Sequence, residues 1–145
     1  MKGLTWILWL TITLIIMGVM GLFILQAVSG FLGESLANSA KLTGQRIEAI
    51  VNDLEASPSG TVHGYQLPRV KGQLAFRGYN LGVRVSANID RFYNNTHFIE
   101  RYPIHYENGN SLTLDFDPQN RDVFFARCGD EIFIGRSKDK IPCVR

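Results

Sequence analysis

Charge is absent from one long part of this sequence, since no acidic or basic side chain occurs between Leu4 and Gly33. A helix of about 20 apolar residues crosses the hydrocarbon core of a bilayer, so this run is long enough to span one. The mean hydropathy of the whole chain lies near zero only because a very apolar N-terminal fifth is averaged with a polar remainder. The missing charge predicts that this protein is tied to a membrane.

Two other interpretations of the uncharged run fit less well. A cleaved secretory signal has an apolar stretch of about 7–15 residues, and the candidate cleavage residues Ala37 and Ser39 lie beyond the first acid, Glu34. A buried helix of a soluble domain needs more surrounding mass than 145 residues supply. A membrane-spanning helix is therefore favoured. Because Lys2 precedes it and Glu34 follows it, the positive-inside rule places the N-terminus in the cytoplasm and the rest of the chain outside.

Proline is absent between Glu34 and Glu55, so the sequence offers no strong helix breaker there. Apolar residues in this segment recur at spacings of three, four and seven, namely Ile47, Ile50, Val51 and Leu54. Such a stripe is typical of a helix with one buried face. We therefore predict an amphipathic continuation of the helix over residues 34–56, which ends at the turn-forming residues 57–60 and packs on the domain that follows.

Beyond residue 60 the apolar period changes from helical to alternating, which is typical of strands with one buried face. The predicted strands cover residues 62–67, 73–77, 81–86, 97–102, 104–107, 110–116, 123–128 and 131–136. Two hairpin turns are predicted, at Asn108–Gly109 and at Gly129–Asp130, because these residue types tolerate positive φ.

The predicted fold class is α+β, with a long N-terminal hydrophobic helix followed by a small antiparallel β-sheet or sandwich head. Its parts are a membrane or assembly helix at residues 4–33, the amphipathic continuation at 34–56 and an extracytoplasmic β domain at 60–145. A head of this size needs the amphipathic stripe as part of its core.

The two cysteines, Cys128 and Cys143, are most simply a disulfide in an external domain, where it would close the C-terminal tail onto the sheet. Two free thiols are the alternative. Asn94 begins an Asn-Asn-Thr sequence, which is an N-glycosylation acceptor in what is predicted to be a polar loop.

Patterns for catalysis and metal binding are missing from the sequence. The three histidines fall in separate segments, outside any ligand or nucleophile pattern: they are His63, His97 and His105. Oxygen-bearing side chains around Pro118 suit either a calcium site or a turn, and their spacing favours the turn: they are Asp115, Asp117, Asn120 and Asp122. The net charge of +2, without an aromatic and basic platform, argues against nucleic-acid binding. We therefore predict neither an enzyme nor a cofactor.

With Lys2, Gly3, Leu4 and Thr5 ahead of a long apolar helix and a β-rich head, the chain resembles archaeal type IV pilin-like proteins. The resemblance implies a class III signal peptide at residues 1–3, cut by a prepilin peptidase between Gly3 and Leu4. Bacterial pilins have glutamate at the fifth mature position, where this chain has Leu8, so the archaeal type is the better match. In a filament, small helix residues would let neighbouring helices approach closely: these are Gly18, Gly21, Ser29, Gly30 and Gly33.

The function implied by the resemblance is that of a structural filament subunit, inserted in membrane lipid and then assembled through its helix as a homo- or hetero-oligomer. One alternative is a permanently anchored accessory protein, such as a stator or minor component of a motility or secretion machine. Another is an anchored extracytoplasmic binding domain. The expected location is the cell membrane as a single-pass protein or, after processing, an extracellular filament.

Overall fold

The computed structural model of the chain describes residues 2–87, 90–98, 101–107 and 109–143. Helix α1 runs from Lys2–Ala56. The chain divides into two compact units, residues 1–35 and residues 36–145, and α1 contributes to both. The helix ends where Ser57 N–H bonds to the carbonyl of Leu54 at 3.1 Å, one residue before Pro58. A long apolar helix followed by a β-rich head confirms the predicted fold class.

The second unit contains two four-stranded sheets. The strands are β1 (Val62–Gln66), β2 (Lys71–Arg77), β3 (Asn80–Ala87), β4 (Asp90–His97), β5 (Ile104–Tyr106), β6 (Ser111–Phe116), β7 (Asp122–Cys128) and β8 (Glu131–Gly135). The first sheet has the order β1-β7-β8-β5 and the second sheet has the order β4-β3-β2-β6. Strands β5 and β8 pair in parallel, whereas the other neighbours pair antiparallel.

The core of the second unit lies between the inner faces of the two sheets and the helix segment 36–56, whose buried apolar side chains form one cluster. The ring of Phe76 in the second sheet lies 6.4 Å from Phe125 and 5.7 Å from Tyr106, both in the first sheet. The Tyr106 hydroxyl, whose pKa is raised to about 12 mainly by burial, donates to the carbonyl of Gly78. The two sheets are therefore joined by an aromatic contact and by a hydrogen bond across the core.

The predicted hairpin at Gly129–Asp130 is present, since Cys128 pairs with Glu131 and Gly129 has φ of 68°. The other predicted hairpin is wrong in its pairing. Gly109 and Tyr106 exchange main-chain hydrogen bonds of 3.1 and 3.3 Å, but β5 pairs with β8 and β6 pairs with β2. Asn108 itself lies outside the described residues. The turn therefore passes the chain from the first sheet to the second, because β5 pairs within the first sheet and β6 pairs within the second.

Strand β4 was not predicted, and the predicted strand at 97–102 is wrong: of its described residues only His97 lies in a strand, while Arg101 and Tyr102 lie in a bend. Residues 99 and 100 of that prediction lie outside the described residues. Asn94 lies within β4 rather than in the expected polar loop. The sequence of β4 is rich in Asn and Asp, which strands usually lack, but its pairing with β3 supplies the main-chain hydrogen bonds that hold it in the sheet.

Candidate functional site

The surface of the helix in the first unit is apolar on every side. Trp6, Trp9 and Phe31 are 69%, 72% and 74% exposed, and other large apolar side chains of this segment are likewise open. Among the described residues, one helix is long and apolar enough to cross a bilayer, and it contains this segment. Removing a large apolar side chain from water contributes about 1.5–3 kcal/mol. The segment therefore requires lipid or protein around it.

Three hydroxyl side chains within this helix donate hydrogen bonds to main-chain carbonyls of the same helix. The hydroxyls of Thr11 and Thr13 donate to the carbonyls four residues earlier, each at 2.8 Å, and Ser29 donates to the carbonyl of Gln26 at 3.0 Å. Hydroxyls bonded in this way are compatible with hydrocarbon surroundings, where an unpaired donor is costly.

The small residues predicted for helix assembly lie on this open surface. Within the described chain, no atom outside the local helix lies within 4 Å of a Cβ built at Gly18, Gly21 or Gly30. Gly33 is half-buried and Ser29 is exposed. Close helix approach at these positions stays a prediction. Lys2, Gly3 and Leu4 belong to α1, and their side chains lie outside the described part of the structure.

The amphipathic stripe of the second unit lies in the core. Ile47, Val51 and Leu54 are fully buried in the cluster that includes both sheets, and Ile50 is half-buried against it. Thr43 is also buried there, and its hydroxyl donates to the carbonyl of Ser39 at 2.8 Å. The helix segment is therefore a structural part of the β domain.

Gly44 is a point of close approach between the helix and strand β4. A Cβ at Gly44 would lie 2.6 Å from Asn94 Nδ2 and 2.6 Å from Thr96 Oγ1, which is inside van der Waals contact. Asn94 Nδ2 also donates to Thr96 Oγ1 at 3.2 Å. Glycosylation of Asn94 stays a prediction from sequence, and the nitrogen that would carry the glycan lies beside Gly44 of the helix.

Arg127 joins the end of the helix to the first sheet. Its Nη1 donates to the carbonyl of Glu55 at 2.8 Å and to the carbonyl of Ser57, and its Nη2 lies 3.3 Å from the Tyr102 hydroxyl. The guanidinium also stacks 4.8 Å from the centre of the Tyr102 ring. These contacts satisfy carbonyls that the last turn of a helix leaves unpaired. The sequence analysis did not single out Arg127. The signal available for it was its position two residues after Phe125, on the inward face of an alternating strand.

The side chain of Glu55 is buried beside this arginine. Burial raises the pKa of its carboxyl, while Arg101 and Arg127 act in the opposite direction. Arg101 Nε lies 3.8 Å from the Glu55 carboxylate. The charge cluster therefore links the helix to the sheet. The two arginines stabilise the charged form of the buried Glu55 carboxylate.

The C-terminal tail is held on the first sheet. The predicted disulfide between Cys128 and Cys143 is confirmed, with Cα atoms 5.5 Å apart. The Glu107 carboxylate accepts from Lys140 Nζ and, at 2.9 Å, from the main-chain N–H of Arg136, and these contacts lower its pKa. Ile141 is buried between these two attachments. The tail is thus tied by a covalent bond, by an ion pair and by an apolar side chain.

Two of the acidic side chains near Pro118, those of Asp115 and Asp117, accept hydrogen bonds. Asp117 Oδ1 accepts the N–H groups of Gln119 and Asn120 at 2.8 and 2.9 Å, which lowers its pKa, and Asp115 Oδ1 accepts from Gln73 at 2.8 Å. This is the geometry of an Asx turn. Within the described ranges, no group of three His, Cys, Asp or Glu side chains is placed to hold a metal ion.

The three histidines lie apart from one another. His63 Nε2 is 3.8 Å from Asp53, and His105 Nε2 is 3.4 Å from Glu131. His97 Nδ1 lies 2.9 Å from the side-chain oxygen of Asn80. Each histidine therefore has its own surface partner, and the structure does not bring them together.

Comparison with known proteins gave no match to a protein family, to a curated protein or to a solved structure. The functional argument therefore depends on the chain's own residues.

Proposed function

We propose that the chain is a pilin-like structural subunit of a cell-surface filament of the archaeal type. It enters the membrane through the helix of residues 4–33, is cut between Gly3 and Leu4 by a prepilin peptidase, and assembles through that helix with the β head outside. The observation that supports this best is the helix surface of the first unit, which is apolar on all sides and exposed. Such a surface is stable in lipid and equally stable when copies of the helix surround it.

The head has the features of an extracellular domain. The disulfide between Cys128 and Cys143 is of a kind that persists in oxidising compartments. The Glu107 and Arg127 contacts add further links within the same unit. Together they favour a head that serves as a durable surface module rather than a site of chemistry.

Processing and assembly are tested together by analysing material sheared from cells. We expect filaments in the sheared fraction, with a mature N-terminus at Leu4 by intact-mass and peptide analysis. Gly3→Val should block the cut and retain the protein in the membrane fraction. Gly18→Ala, a change outside the processing residues, is the matched control and should be cut normally.

A permanently anchored accessory protein predicts a different result. The mature chain would then keep Met1, remain with lipid and be missing from the sheared fraction. That outcome would disprove the filament function.

A further inference from the structure

The side of helix segment 36–56 that faces away from the core lacks charge along its centre. Its positions follow one another at alternating spacings of four and three residues, which is the period with which one helix packs along another. We call them the uncharged stripe: Asn38, Leu42, Gln45, Ala49, Asn52 and Ala56. All six are exposed, and Leu42 is 52% exposed. The charged residues of this segment all lie off the stripe.

Two charged margins border the uncharged stripe. Lys41 and Glu48 lie on one margin, seven residues apart, and Arg46 and Asp53 lie on the other, also seven residues apart. Lys41, Arg46 and Asp53 are exposed and Glu48 is half-buried. Asp53 also lies 3.8 Å from His63 Nε2. Each margin therefore presents one cation and one acid to any helix that packs on the stripe.

These charges oppose a parallel pair of helices at the same level. In a parallel pair, a residue on the first margin faces the second-margin residue five positions further along the other helix. Lys41 would face Arg46 of the second copy, and Glu48 would face Asp53 of the second copy. All four contacts of such a pair would be between like charges.

A displacement of one helix by seven residues replaces these like-charge contacts by two contacts between opposite charges. Lys41 then faces Asp53 of the second copy, and Arg46 faces Glu48 of the second copy. The displacement corresponds to about 10 Å along the axis at 1.5 Å per residue. The stripe keeps its alignment, because seven residues are its own repeat.

We infer that in the filament the uncharged stripe packs on the same stripe of a second copy, parallel and displaced by seven residues. This rests on the proposed function, because insertion through one membrane makes all copies point the same way. An antiparallel pair, in which Lys41 faces Glu48 of the second copy, is also complementary in charge and is an outcome of the test.

Engineered cysteines in the full chain distinguish the three arrangements. Copies with Leu42→Cys co-expressed with copies carrying Ala49→Cys should form a disulfide-linked dimer on oxidation of filaments. Ala49→Cys alone should link only if the copies are in register. Leu42→Cys with Asn52→Cys should link only if they are antiparallel. Gln119→Cys, exposed in the turn after β6, is the control and should not link. The linked peptides are identified by mass spectrometry, with Cys128 and Cys143 left in place.

Charge reversal provides a second readout. Lys41→Glu should lower the yield of the 42–49 link about two- to fivefold, because an exposed ion pair becomes a like-charge contact. Adding Asp53→Lys to the same chain should restore the yield. For copies in register, Lys41→Glu would instead raise the yield of the 49–49 link, because the introduced carboxylate would then face Arg46 of the second copy.

The outcomes separate this inference from the function on which it rests. Sheared filaments that begin at Leu4 but give a 49–49 link, a 42–52 link or no link would overturn the inference alone. Membrane-retained protein that keeps Met1 and gives no 42–49 link would overturn both.

Discussion

Arg127 Nη1 donates a hydrogen bond of 2.8 Å to the main-chain carbonyl of Glu55, which ties the last turn of α1 to strand β7. The two residues are 72 positions apart in the chain. Because the arginine also lies beside the buried Glu55 carboxyl, it supports the helix end through its hydrogen bonds and through its charge.

Loss of this arginine should weaken the β domain strongly. We expect Arg127→Met to lower the free energy of unfolding by about 2–4 kcal/mol, since it leaves carbonyls unpaired and a buried carboxylate without its neighbour. Urea titration of the full chain in detergent measures this. Arg84→Met, on the exposed side of β3, is the matched control and should change stability by less than about 0.5 kcal/mol. Equal effects of the two changes would show that Arg127 does not stabilise the β domain through these contacts.

A side chain at Gly44 should push the helix away from β4. Gly44→Ala gains about 1 kcal/mol of helix propensity but loses about 1–3 kcal/mol by overpacking against Thr96 and Asn94, so we expect a net loss of stability. Adding Thr96→Ala should recover part of that loss in a double-mutant cycle. Stabilisation by Gly44→Ala alone would show that the helix and strand have room between them.

Reduction of the disulfide should destabilise the head. Cys128 and Cys143 are 15 residues apart, and closing a loop of this length contributes about 3 kcal/mol. We expect thermal unfolding at a lower temperature in reductant. The double variant Cys128→Ser, Cys143→Ser should melt at that lower temperature with or without reductant. A wild-type melting temperature that is the same with and without reductant would contradict this expectation.

The Glu107 contacts should make the tail sensitive to acid. Because Lys140 and the N–H of Arg136 lower the pKa of Glu107 below its usual 4.5, its charged form stabilises the folded state above that value. This contribution is lost as the pH falls below about 4.5 toward the lowered pKa. Burial has the opposite effect on Glu55, whose raised pKa removes stability as the pH rises through it.

Urea unfolding between pH 3 and pH 7 tests the acid dependence. Glu107→Gln should be less stable than the parent at pH 7 and should approach it at pH 3. Asp139→Asn, a change at an exposed acid of the same tail, should follow the parent curve. A constant difference between Glu107→Gln and the parent at every pH would assign the effect to packing instead.

The helix and the disulfide were predictable because their signals are local. The run without charge from Leu4 to Gly33 marks an apolar helix that is long enough to span a membrane. The period of Ile47, Val51 and Leu54 marks one buried helix face, whatever that face contacts. The disulfide could be predicted from the number of cysteines and the expected external location of the domain.

Strand partners were harder to predict, because they depend on distant residues. The Gly109 turn has the composition of a hairpin, but its flanking strands enter different sheets. Strand β4 lacks strand-favouring residues at Asn94 and Asn95, and pairing with β3 outweighs that local preference. Arg127 and Glu55 could not be paired from sequence at all, since nothing local relates two residues so far apart.

The order of the strands determines when each strand can pair as the chain is synthesised. Strand β1 pairs only at its β7 side and β5 pairs only with β8 within the described sheets, so each waits for residues made much later. Contacts of such long range close slowly. Until β7 and β8 have been synthesised, the inward face of Ile47, Val51 and Leu54 is only partly covered. The head is therefore half-finished for much of its synthesis, and a helper that shields that face until β8 is made would be expected to raise the yield of folded protein.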